Sequence, residues 1–199
     1  MSGRDADTLG FYGAEAEVYA GRDRELGEAR LRRFAARLPA GGQVLELGCG
    51  GGQDSEALLA LGLDVTPTDG SPELAAEAQK RLRRPVAVLL FEDLMADAAF
   101  DGVWANACLL HVPRTALPGI LAKVQRALRP GGVFYASYKA GEAEGRDRFG
   151  RFFNYPDAAW LRTAYGKNGW DCIEIEEDEG GSYDKESTRW LHATAIKLS

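Results

Sequence analysis

The sequence predicts an α/β fold: a doubly wound sheet of seven strands, mostly parallel, that ends in an antiparallel hairpin. Three observations carry the prediction. Short apolar runs alternate with helical segments between residues 43 and 138, the pattern of βαβ units whose sheet is covered on both faces. Glycine and proline gather at the joints between these runs. The last two apolar runs, 170–176 and 188–198, are joined by a polar stretch with no helix, and a parallel return would need a crossover.

Taken in order, residues 21–38 read as an amphipathic helix. Leu26, Leu31, Phe34 and Leu38 fall near helical spacing, and Arg30, Arg32, Arg33 and Arg37 cover much of the rest. Pro39 to Gly42 stop it. The first strand, 43–47, is a short apolar run broken by glycines at 48, 50, 51 and 52. A helix over 54–61 leads to the second strand, 63–69. Ser71-Pro72-Glu73 opens the next helix with a capping hydroxyl, a proline in the first turn and an acid at the positive end, and that helix runs to about Arg84. Strands follow at 86–91 and 100–105, a helix at 114–128, and a fifth strand at 133–138.

Composition narrows the classes. The 24 glycines have no G-X-Y period, and 45% hydrophobic residues suffice for a core, so collagen and low complexity fail. Cys49, Cys108 and Cys172 are odd in number and lack CxxC spacing, and the two histidines are scattered, so neither a disulfide framework nor a metal site is expected. A net charge of −6 argues against a nucleic-acid partner. No signal peptide is visible, and no apolar run approaches the ~20 residues of a membrane span. The expectation is one cytoplasmic domain over 1–199, monomer or homodimer, with 1–40 as an N-terminal lid and helix segment and 41–199 as the core.

The chemistry starts at the first turn. Glycines between Gly48 and Gly52 let backbone N–H groups approach a ligand at a helix N-terminus, and Asp69 ends the second strand, where a carboxylate can take both hydroxyls of a ribose. Taken alone this fits a nicotinamide dinucleotide site. The G-x-G-x-x-G pattern breaks at Gln53, however, and Glu46 stands where a pyrophosphate would meet a second negative charge.

The run Glu46-Leu47-Gly48-Cys49-Gly50-Gly51-Gly52 instead resembles the glycine signature of class I S-adenosylmethionine-dependent methyltransferases. The resemblance spans about Phe11 to the C-terminus and includes Asp69-Gly70-Ser71, Phe91-Glu92-Asp93-Leu94, Phe100 to Trp104, and Leu128 to Gly132. It implies a Rossmann-like core, S-adenosylmethionine as cofactor and methyl transfer as the activity. It also implies roles for residues. Gly48, Cys49, Gly50 and Gly52 would pack against the methionyl part and sugar, and Glu46 would accept from the ammonium. Asp69 would bind the ribose diol. Glu92 or Asp93 would accept from the adenine amino group, with Leu94 and the Gly70-Ser71 turn beside the ring.

Acceptor-side residues are open at this level. Phe11, Tyr12 and Tyr19 either close over the cofactor, where a sulfonium favours aromatic faces, or staple the segment to the sheet. His111 follows the fourth strand at the carboxyl edge and is either a general base or a polar loop residue. His192 lies mid-strand and reads as structural. The loop after the fifth strand interleaves rings with Lys139, Arg146 and Arg148, and Tyr138, Arg146 and Arg148 are candidates to position a small-molecule acceptor, an anionic one included. The rivals are RNA-modifying or metalloid and chalcogen methyl transfer, an NAD-linked oxidoreductase, and a cofactor-binding protein without turnover.

Overall fold

The computed structural model describes residues 3–170 and 172–198; Met1, Ser2, Asp171 and Ser199 lie outside them. Two N-terminal helices, α1 (Ala6–Ala14) and α2 (Ala16–Gly21), precede α3 (Glu28–Ala35). The alternating core follows as β1 (Gln43–Leu47), α4 (Gln53–Ala60), β2 (Asp64–Asp69), α5 (Pro72–Leu82), β3 (Ala87–Val88), β4 (Phe100–Ala105), α6 (Leu117–Ala127) and β5 (Leu128–Lys139). The remainder comprises a two-stranded ribbon of β6 (Gly145–Arg146) and β7 (Phe152–Phe153), then α7 (Ala158–Gly166), β8 (Cys172–Gly180) and β9 (Thr188–Ile196).

The main sheet has the order β3-β2-β1-β4-β5-β9-β8. The first five strands are parallel, while β9 runs antiparallel to both β5 and β8. The predicted fold class and the C-terminal hairpin are both present. The strand order reverses at β1 and β4, and ligands of open α/β sheets bind at the carboxyl edge beside such a reversal.

Strand alternation sorts side chains to two faces. Leu45, Leu47, Val103, Phe134, Ala136 and Tyr138 join the core beneath α6 and α7. Val44, Val65, Trp104, Val133 and Tyr135 pack with Leu31 and Phe34 of α3 and Leu58 of α4.

The predicted helix over 21–38 is broken. Gly21 ends α2, Gly27 caps α3, and the intervening chain turns so that Arg24 reaches Asp54. Its arginine face is not a bare basic stripe. Arg30, Arg33 and Arg37 pair with Asp178, Glu176 and Glu174 on β8, so the basic helix and the acidic strand neutralise one another. The third strand shrinks to two exposed residues; Leu89 N–H still donates to the Asp69 carbonyl at 2.9 Å, and Leu89, Leu90 and Phe91 then line a cleft. The helix α7 has a legible pattern, with an Asp157 cap and buried Leu161, Ala164 and Tyr165, although the segment carried no helix prediction.

Candidate active site

Two cavities meet at the carboxyl edge. The first is a narrow cleft floored by Gly48, Gly50, Asp69 and Gly70, walled by Leu89, Leu90 and Phe91, and covered by Leu9, Tyr12 and Tyr19 of the N-terminal helices. Gly48 has φ +65°, and a Cβ there would come 2.5 Å from the Cβ of Cys108, so only glycine fits the turn. Gly50 has φ +55°, with the Tyr19 ring next to its bare face.

Asp69 is 7% exposed, and its two oxygens accept from the N–H groups of Gly50 and Ser71, each at 2.8 Å. Burial pushes its carboxyl up to about 6, while these backbone donors pull the other way. Each oxygen keeps a lone pair for a further donor from the cleft.

The other expected cofactor residues are placed differently. Glu46 lies 2% exposed beneath the loop, accepts a hydrogen bond from the Ser55 hydroxyl, and does not line the cleft. Burial, with Asp54 adding to it, pushes its carboxyl well above the usual range. Cys49 is buried, and Gly52 packs against Leu82 and Ala78 of α5. Ser71 caps α5, accepting from Leu74 N at 3.2 Å. Glu92 accepts from Gly3 N at 2.8 Å, Asp93 is exposed, and Leu94 is in the core. None of these seven lines the cleft; the residues of that turn that do are Leu89, Leu90 and Phe91.

The second cavity encloses about 900 Å³ between α3, the carboxyl ends of β4 and β5, and the 149–153 and 178–192 segments. It shares Tyr12, Tyr19, Ala107 and His111 with the first. His111 sits at this junction. Its Nδ1 lies 2.6 Å from the Phe152 carbonyl, which can only accept, so the proton is on Nδ1. Its Nε2 therefore accepts from the Tyr12 hydroxyl at 2.9 Å. Burial pushes the imidazole down to about 4, which keeps it neutral.

Behind Tyr12 lies Arg151, a residue the sequence reading passed over. It is 2% exposed, forms a fork with Asp147 through bonds of 2.9 and 2.7 Å, and donates to the Tyr12 hydroxyl at 3.2 Å. Rings of Phe11, Tyr12, Phe149, Phe153 and Tyr183 surround its guanidinium at 4.8–5.6 Å. The Asp147–Arg151 spacing was a legible signal for this pair.

The three loop candidates fall elsewhere. Tyr138 points to the α7 side, where its hydroxyl meets that of Tyr165 at 3.0 Å; its neighbour Lys139 takes the cavity face. Arg146 reaches back to Asp5, the cap of α1, at 2.7 Å. Arg148 is 58% exposed and pairs with Glu186. Tyr155 stacks on Phe153 without lining either cavity.

The floor of the second cavity is polar and tightly bonded. Asp54 accepts from Trp104 Nε1 and Asn106 Nδ2, both at 2.9 Å, and from Arg24. The Tyr135 hydroxyl donates to His192 Nδ1 at 2.8 Å, and His192 Nε2 donates to Asp178 at 2.9 Å. Burial, reinforced by Arg30, pushes His192 down to about 4.

A methyltransferase-domain family model matches residues 45–136. A ubiquinone biosynthesis O-methyltransferase of Xanthomonas campestris pv. campestris is 34% identical over 166 residues, covering 70% of this chain and 69% of its own. The chain belongs to the class I S-adenosylmethionine-dependent methyltransferases. Another ubiquinone biosynthesis O-methyltransferase, from Xanthomonas axonopodis pv. citri, is 38% identical over 120 residues. That match covers 56% of this methyltransferase and 49% of the relative, so the chain spans about half the length of the first curated relatives it matches. Among solved structures, the 1,6-didemethyltoxoflavin-N1-methyltransferase of Burkholderia thailandensis, with 1,6-didemethyltoxoflavin and S-adenosylhomocysteine bound, aligns at TM-score 0.72 and 25% identity. The alignment covers 98% of this methyltransferase and 88% of that chain.

Proposed function

We propose that this chain transfers the methyl group of S-adenosylmethionine to a small, anionic acceptor, with the cofactor in the first cleft and the acceptor in the second cavity. The observation that carries this reading is the shared wall: Tyr12 and His111 border both spaces, so a ligand in each would meet there. The relative's O-methyl transfer in ubiquinone biosynthesis and the structural neighbour's N1-methyl transfer support a small-molecule acceptor and differ in the acceptor atom.

The cleft fits the cofactor. Gly50 leaves bare the space between the floor and the Tyr19 ring that a Cβ there would enter, and Asp69 offers free lone pairs to a diol. Leu9 and Leu90 flank Gly70 and form an apolar slot for a flat base. The cofactor supplies an electrophilic methyl on a sulfonium. Tyr12 and Tyr19, at 4.9 Å in edge-to-face contact, present rings to that charge. The lid is α1 and α2, tied down where Arg146 grips Asp5 and Thr8 N–H donates to that same cap; α3, from the same N-terminal segment, belongs to the core instead.

The acceptor's lone pair displaces the sulfur in line, the methyl–sulfur bond leaves its electron pair on sulfur, and the acceptor sheds a proton. Positioning and exclusion of water dominate such a step. His111 is the base for acceptors that arrive protonated, acting through Tyr12: the Tyr12 oxygen takes the acceptor's proton as its own hydroxyl proton passes to His111 Nε2.

Titration calorimetry with S-adenosylhomocysteine tests the cofactor half. Binding is expected, weakened at least ~10-fold in Asp69→Ala, as loss of charged hydrogen bonds predicts. A panel of acceptors with methyl-labelled S-adenosylmethionine tests the rest. Absence of cofactor binding, or binding with no labelled product from any acceptor, would sink the proposal.

A further inference from the structure

We propose that Lys139 is the anion-binding residue of the second cavity, and that the acceptor carries a carboxylate on the same ring system as its methyl-accepting atom. The inference rests on the second cavity being the acceptor site. Lys139 ends β5 on the cavity face and is 8% exposed. Its Nζ lies 4.9 Å from the centroid of the Phe153 ring and 6.0 Å from that of Trp190. Among the described residues, no carboxylate comes within 4.0 Å of it and it donates no hydrogen bond.

The arginines of the same wall are provided for. Arg24 pairs with Asp54, Arg30 with Asp178 and Arg151 with Asp147, while Arg22 stacks 3.4 Å from the Tyr19 ring and donates to its carbonyl. An ammonium held largely out of water without a counter-ion is costly, and two aromatic faces return only part of that cost, while its Nζ stays open to the cavity. Burial accordingly holds Lys139 below the usual lysine range; Arg151 adds to this, and Asp184, Asp147 and Glu186 oppose it from longer range. An anion entering the cavity would complete the site.

Phe153 sets the geometry of that anion. The His111 ring centroid lies 4.6 Å and the Lys139 Nζ 4.9 Å from the Phe153 ring centroid, so both groups sit around one ring of the cavity wall. Lys139 and His111 line the same cavity, so an acceptor spanning the gap between them reaches both at once, with its anion at Lys139 and its reacting atom at His111. One unpaired buried ammonium matches a single negative charge, which favours a carboxylate over a dianionic phosphate. The Phe153 and Trp190 rings favour a planar body.

The test compares a hydroxynaphthoate with its uncharged amide, by calorimetry, on protein saturated with S-adenosylhomocysteine. The acid is expected to bind about tenfold tighter than the amide. In Lys139→Met and Lys139→Gln that preference is expected to vanish, with S-adenosylhomocysteine affinity unchanged; Lys139→Arg is expected to keep it. Equal affinity of acid and amide for the wild type, binding of neither, or a preference that survives both uncharged variants would overturn the proposal. If the uncharged variants do not fold, the wild-type comparison still decides. Failure of S-adenosylhomocysteine itself to bind would instead strike the cofactor reading.

Discussion

The Tyr12 hydroxyl lies 2.9 Å from His111 Nε2, on the wall common to the two cavities. A residue of the first helix and a residue after the fourth strand thereby complete one another. With the tautomer fixed by the Phe152 carbonyl at Nδ1, this bond fastens the imidazole to the cover of the cleft, and Arg151 holds the other side of the Tyr12 oxygen at 3.2 Å.

As the base, His111 is expected to be worth about 100-fold in kcat. His111→Ala should lower labelled methyl transfer by that factor while S-adenosylhomocysteine affinity stays within about twofold. Its pKa is lowered from 6.5 to about 4, so the base form is already present throughout neutral pH. The pH–rate profile should therefore carry no inflection near 6.5 that disappears in His111→Ala; finding one would show the imidazole titrating at its ordinary value and contradict its burial-lowered one.

Glu46 supplies a stability prediction with a definite sign. Its carboxyl is raised by burial, so the folded chain keeps a proton that the unfolded chain has already released. Stability from this group is complete below the usual carboxylate value and is lost as pH rises through the folded one. Glu46→Gln keeps an acceptor for Ser55 and removes the ionisation. It should raise the melting temperature by roughly 3–6 °C above about pH 8 and change little near about pH 4.5. Equal shifts at both pH values in thermal scans would contradict the assignment.

Arg151 and Arg148 are close in sequence and opposite in consequence. Arg151→Met would strand the Asp147 carboxylate in a closed site, a loss of about 3–5 kcal/mol in urea unfolding. Arg148→Ala changes an exposed pair and should stay within about 0.5 kcal/mol, with methyl transfer intact. A large effect of Arg148→Ala on turnover would restore the loop role that its present position denies.

The glycine floor can be probed at two positions. Gly48→Ala forces a side chain into Cys108 at a positive φ and should cost more than about 2 kcal/mol, seen as a lower urea midpoint. Gly50→Ala meets only the Tyr19 ring, at 3.4 Å, and should cost about 1 kcal/mol of stability while weakening S-adenosylhomocysteine. Comparable losses at both would mean that the two positions do not differ in the way their neighbours imply.

Local pattern was sufficient for much of the fold. Alternating apolar runs, the Ser71 cap and the helix-free link before β9 are properties of adjacent residues, and the elements they predicted are present, the third strand alone keeping only two of its six residues. The glycine run and Asp69 were legible for the same reason: a tight turn and the acid that ends β2 are both set by nearby chain. The boundary at Gly21 and Gly27 was harder, because the unwinding between them depends on Arg24 reaching Asp54.

The acceptor side depended on contacts that no short window contains. Tyr138 and Lys139 are consecutive, and one strand's alternation sends the first into the core and the second to the cavity; which goes where depends on how β5 docks between its neighbours. Arg146, Arg148 and Arg151 look alike in sequence, yet Asp5, Glu186 and Asp147 claim them for three different tasks. Glu46 and Asp69 are both acids at strand ends, but the pleat turns one under the loop and leaves the other facing the cleft. Chain-local energetics chose the elements and the glycine turn; burial and long-range charge pairing, which act between residues far apart in sequence, chose which side chains border the two cavities.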